Sequence, residues 1–146
     1  MELISSRFGV LAIEVEDVLY FPAGLPGLEE CRTWVLLADR RNEALAWLHS
    51  VSQPQVALAV VSPCRFVPGY RLRVSPKELS SLGLDSLSDI QVLAIVSSHA
   101  GQLTANLKAP LLIHPAKRLG RQVIASDEQP LRFLLPRRDW ALRRSA

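Results

Sequence analysis

The chain has 146 residues, 49% apolar and 21% charged, with two cysteines and a formal net charge of +3. That length predicts a single hydrophobic core, and the apolar content excludes a disordered chain, which lacks the surface to offset its ordering entropy. Cys31 and Cys64 are too few for a disulfide scaffold, and no run approaches the ~20 apolar residues of a spanning helix. Residues 1–17 carry acids where a secretory signal wants bases and a long apolar stretch. A cytoplasmic protein with reduced thiols and no membrane contact is expected.

The charge is unevenly spread. Residues 117–146 hold eight bases and three acids, whereas residues 1–116 hold nine bases and eleven acids. A basic tail on a mildly acidic body suits an acidic partner, nucleic acid or an anionic membrane. It equally suits a solvated, frayed terminus.

Period-two alternation dominates the chain. Phe8–Glu14 and Val18–Phe21 read as strands, the second stopped by Pro22. Thr33–Leu37 and Ala44–Leu48 flank the charged turn Asp39-Arg40-Arg41-Asn42, a hairpin signature. Val56–Val61 is an apolar run between Pro54 and Pro63, as in a strand buried on both faces. Tyr70–Val74 alternates with Arg71 and Arg73 on a wet face. Ser75-Pro76-Lys77-Glu78 reads as a capping box, the Ser75 hydroxyl accepting from the Glu78 N–H while the Glu78 carboxylate reaches back. The short helix it opens carries Leu79 and Leu82 and ends at Gly83, and it is expected to plug one end of the fold. Ile90–Val96, Leu111–Ile113, Arg121–Ile124 and Leu131–Leu134 complete the strands. The pattern predicts an all-β fold, a single small barrel or sandwich of short antiparallel strands with one short helix near residues 76–82.

Patterns of catalysis and metal binding are missing from the sequence. His49, His99 and His114 have no second ligand at chelate spacing, and no GxSxG, GxxxxGK[ST] or GxGxxG run occurs. Glu14, Glu16 and Asp17 read as a solvated turn. Cys64 reads as a small buried hydrophobe, and His49 as a residue that hydrogen-bonds locally or faces solvent. No enzyme activity, metal or cofactor is expected.

Four segments, in order, resemble the FliW family of flagellar assembly factors. Phe21-Pro22-Ala23-Gly24-Leu25-Pro26-Gly27-Leu28-Glu29 is similar to the family's FPxGxPGFE turn, and Trp47-Leu48-His49-Ser50-Val51 to its WLQSV strand. Leu58–Pro63 followed by Phe66–Tyr70 resembles FVVVNPFLFFPDY, and Thr104–His114 resembles TANLLAPIVIN. A basic turn then leads into Arg121-Gln122-Val123-Ile124, as in KGKQVVL. The resemblance covers about residues 3–134. Leu28, His49, Ser62 and His114 depart from the family's usual residues, and Cys64-Arg65 stands where the family is apolar. On physical grounds the prolines and glycines of the first motif make a rigid strand exit. Asn106 suits loose backbone groups before Pro110, and Phe21, Trp47 and Leu107 read as core.

The resemblance implies a monomeric, non-enzymatic regulator with a FliW-like β-barrel domain over residues 1–135 and a basic tail over 136–146. It implies binding to the translational repressor CsrA, which relieves repression of flagellin mRNA, and chaperone-like binding to flagellin. The competing reading is a β-barrel that binds RNA directly through its basic tail. Because the tail holds one aromatic, Trp140, without RNP-like interleaving, direct nucleic-acid binding is not expected. The candidate partner-binding residues are Arg65, Phe66 and Val67, in an apolar loop between strands, with Arg137, Arg138 and Trp140 of the tail. Residues 136–144 have the makings of a short amphipathic helix that is too short to hold alone in water, so docking is expected of it.

Overall fold

The computed structural model describes residues 1–83 and 89–136. Among these, the alternating segments become strands β1 (Glu2–Ser5), β2 (Gly9–Ala12), β3 (Leu19–Tyr20), β4 (Thr33–Ala38), β5 (Leu45–Ser50) and β6 (Ala57–Val61). Strands β7 (Gln91–His99), β8 (Gln102–Ala105), β9 (Leu111–His114), β10 (Leu119–Gln122) and β11 (Phe133–Leu134) follow, with helices α1 (Pro63–Phe66) and α2 (Pro76–Ser80) between β6 and β7.

Seven strands close a barrel in the order β7-β6-β5-β4-β3-β10-β9, the ring completed by Gln91↔Ile113, Val92↔Leu112 and Leu93↔Leu111. Its pairs are antiparallel except β3–β10, which is parallel at Tyr20↔Leu119. This departs from the expected purely antiparallel set, and the reason is arithmetic. An odd ring of strands cannot alternate direction all the way round. Beyond the barrel, β7 runs on into a hairpin with β8, to which β11 adds. Strands β1 and β2 form a separate ribbon, which packs Leu3 and Ile13 against Val35.

The period of two sorts side chains to the two faces of the wall. Leu19, Phe21, Trp34, Leu48, Val60, Leu93, Leu111 and Ile113 fill the interior, where Phe21 meets Trp34 edge-on at 6.3 Å and Trp34 Nε1–H donates to the Cys31 carbonyl. Leu112 points the other way and packs with Leu82 and Val123. The helical segment therefore covers the outer wall and does not plug an end. The FPxGxPG segment is the expected rigid turn. Gly24 has φ +67°, where an added Cβ would lie 3.1 Å from Glu29 Cα; Arg32 hydrogen-bonds the Pro22 carbonyl and the Glu29 carboxylate accepts the Gly27 N–H. Asn106 Oδ1 accepts the N–H groups of Lys108 and Ala109, as its amide chemistry suggested.

Other expectations are corrected. Tyr70–Val74 is not a strand: Leu72 and Val74 pack on the outer wall, so their alternation records one covered face without a ladder. Ser75 accepts from the Glu78 N–H at 3.4 Å, but the Glu78 carboxylate turns away to the Arg121 guanidinium at 3.2 Å, and the capping box is half made. Among the described residues, α1 and a 3-10 turn at Val15–Asp17 stand beside the one expected helix, since the 64–70 loop opens with α1. Trp47 is only half-buried, and Cys64 is exposed because α1 turns it outward.

Candidate protein-interaction site

The segment after β6 is built by local rules. Pro63 takes the first position of α1, where its missing N–H costs nothing. The turn closes through Val67 N–H to the Pro63 carbonyl and Tyr70 N–H to the Val67 carbonyl. Phe66, Val67 and Tyr70 are half-buried and pack on Val61, Ala94, Ala105, Leu107 and Leu135. Phe66 and Val67 thus lid a second core cluster while keeping part of their surface in water. Arg65 is exposed and faces Glu43 of the β4–β5 turn at 3.6 Å, a surface pair worth about 0–1 kcal/mol.

The tail candidates Arg137, Arg138 and Trp140 lie outside the described residues. The described chain reaches Pro136 beside this cluster, because Leu135 is buried in it and its N–H donates to the Leu103 carbonyl. The structure therefore joins the Phe66–Val67 lid to the root of the tail.

Buried polar groups near the lid are also distinctive. The Tyr70 hydroxyl and Asp127 Oδ1 are buried without hydrogen-bond partners among the described residues. Burial, then the Asp127 carboxylate and Cys64, hold the Tyr70 phenol above its ordinary range.

The buried histidine of β5 is engaged in structure. His49 is fully buried, contrary to a solvent-facing reading, since it reaches from β5 to the end of β1. Its Nδ1 lies 2.7 Å from the Ser50 carbonyl and must carry the hydrogen; Nε2 then accepts from the Ser5 hydroxyl at 2.8 Å. The same Ser5 oxygen accepts the N–H groups of Arg7 and Phe8, which occupies both lone pairs. This contact staples the β1–β2 ribbon to the barrel. Among the described residues no group of three His, Cys, Asp or Glu side chains is placed to hold a metal, and no helix is long and apolar enough to cross a membrane.

Two cavities among the described residues bear on binding. One, about 480 Å³, opens at the barrel mouth between Leu25, Leu28, Leu58, Ile95 and Ile124. The other, about 330 Å³, is polar and lined by Ser6, Arg7, His49, Pro54, Gln55 and Ala57. Sequence reading missed both, because each is assembled from segments far apart in the chain.

Comparison with known proteins agrees with this architecture. The FliW protein family matches residues 2–134. The flagellar assembly factor FliW of Moorella thermoacetica is 35% identical over 127 residues, covering 85% of this chain and 80% of that protein. The FliW of Bdellovibrio bacteriovorus is 35% identical over 129 residues, covering 87% and 74%. A crystal structure of the flagellar assembly factor FliW superposes with a TM-score of 0.83 at 27% identity, covering 94% of this chain and 99% of that one. With its family pattern spanning nearly the whole barrel, this chain belongs to the FliW family.

Proposed function

We propose that the protein serves flagellum assembly in the cytoplasm as a non-catalytic, protein-binding regulator. Its barrel domain, residues 1–135, binds the translational repressor CsrA and relieves repression of flagellin mRNA. Flagellin competes for it as a second, chaperone-like client. The observation that carries this reading is the family match over residues 2–134. The Ser5–His49 contact, whose hydroxyl is fully engaged, is consistent with a structural role for that pair. Within the domain, Arg65, Phe66 and Val67 are the proposed contact residues, with Arg137, Arg138 and Trp140 of the basic tail extending the surface.

Size-exclusion chromatography of the full chain mixed with CsrA, and separately with flagellin, tests the reading. Co-elution that weakens in a folded Arg65→Glu/Val67→Asp variant is expected, and early melting of that variant shows instead that the loop is structural. Failure to co-elute with either protein overturns it. RNA binding that is lost on truncation after Leu135 would instead favour a direct RNA-binding role for the tail.

A further inference from the structure

Arg7, in the turn between β1 and β2, is held in place but not consumed. Its guanidinium carbon sits 4.2 Å from the centroid of the Trp47 ring, a cation–π stack. Trp47 is itself fixed, with Nε1–H donating to Asp39 Oδ1 at 3.0 Å and the Phe8 ring edge-on at 6.0 Å. Stacking uses the face of the guanidinium and leaves its N–H edge for other partners. Among the described residues no carboxylate lies within 4 Å of that edge. Arg7, Ser6 and Gln55 share the lining of the 330 Å³ polar cavity. One residue pair further along the ribbon, Ile4 and Val10 stand directly opposite each other, and each is about 60% exposed.

We propose that this cavity anchors a carboxylate side chain from an acidic segment of a partner protein. The planar fork of Arg7 matches a carboxylate in bidentate fashion, with the Ser6 hydroxyl and Gln55 amide beside it and the Ile4–Val10 pair as an apolar flank. The stack orders the arginine before binding, so less entropy is lost on contact, and stacked Arg and Trp are typical anchors of protein interfaces. A polyanion fits less well. Successive phosphates need a row of bases, whereas the other charged side chains of residues 1–14 are Glu2 and Glu14.

The test is an NMR titration of the full chain with the capped peptide acetyl-Glu-Glu-Glu-amide, its Gln counterpart and a single-stranded RNA. The acidic peptide should shift the Arg7 Nε–H and Trp47 Nε1–H signals saturably, and the Gln peptide should not. Arg7→Gln should weaken binding about tenfold, and Arg7→Lys, which keeps the charge without the fork, should fall between. Melting curves identify any variant that fails to fold, in which case shift mapping on the parent protein decides. Equal affinity for both peptides, equal binding by a folded Arg7→Gln, shifts confined to other residues, or tighter Arg7-dependent binding of the RNA each overturns the proposal.

Discussion

Gly120 is the most demanding glycine in the barrel, and replacing it with alanine tests how the interior is packed. A Cβ at this position would lie 2.3 Å from Cε1 and Cζ of Phe21 and 2.8 Å from Cε2. Carbon atoms normally rest about 3.5–4.0 Å apart, so the Phe21 ring must retreat by more than an ångström. It has nowhere to go: Phe21 is fully buried and already meets Trp34. The backbone is not at issue, since Gly120 is not among the residues with positive φ. Alanine even saves about 0.4–1 kcal/mol of unfolded-state entropy. Overpacking costs about 1–3 kcal/mol and occasionally more, and an overlap of this size on a fixed ring belongs at the upper end. A net loss of about 2–3 kcal/mol lowers the melting temperature by roughly 5–10 °C in a chain of this length. Thermal and urea unfolding of Gly120→Ala, Phe21→Leu and the double variant measure it. Shortening the ring makes room for the methyl, so the pair should be less damaging than the sum of its parts, with coupling of about 1–2 kcal/mol. A Gly120→Ala protein that melts within about 2 °C of the parent, or strict additivity in the cycle, would refute the packing argument.

Ser5→Ala strands His49 Nε2 and the two N–H groups that the hydroxyl accepts; a loss of about 2–4 kcal/mol is expected from chemical denaturation, and a loss under about 0.5 kcal/mol would show that the ribbon is held by its apolar contacts alone. Burial pushes the Asp39 carboxyl up, but hydrogen bonds from Trp47 and the Asn42 and Arg41 N–H groups, with the Arg41 charge, outweigh it and hold it below the ordinary 3.8. The unfolded chain therefore takes this proton first, so the contribution is complete above about pH 5 and is lost as pH falls further; Asp39→Asn should flatten the acid limb of urea midpoint against pH. Tyr70 has the opposite sign. Burial, then Asp127 and Cys64, hold its phenol above 10.0, so its contribution is present below pH 10 and lost as pH rises through the higher folded value. Tyr70→Phe should remove that alkaline loss and, because the hydroxyl has no partner among the described residues, cost little at neutral pH; a large neutral-pH loss would reveal a hydrogen bond to solvent or partner at that site.

The elements legible in the sequence are those whose cause is local. Phe21-Pro22-Ala23-Gly24 makes its turn because proline and glycine restrict and release φ in place. The β4–β5 hairpin follows from two apolar runs around Asp39–Asn42, with Asp39 accepting the Arg41 and Asn42 N–H groups. The start of α2 follows from Ser75 and Pro76. The short polar strands β1 and β8 were not legible, since Glu2, Ser5, Gln102 and Thr104 dilute the alternation and their partners supply the ladder. What the chain alone left undecided is what depends on groups far apart meeting. Closure of β7 on β9 and the parallel β3–β10 pair required counting the strands that actually pair. The Glu78 carboxylate had a local N–H within reach by sequence, but a guanidinium 43 residues away offers a stronger, charge-assisted bond. The interaction surfaces are of the same kind. Phe66 joins Leu135, and Arg7 joins Trp47, only when the wall closes and the ribbon packs on it, because local residue preferences set turns and faces while long-range packing decides which faces meet.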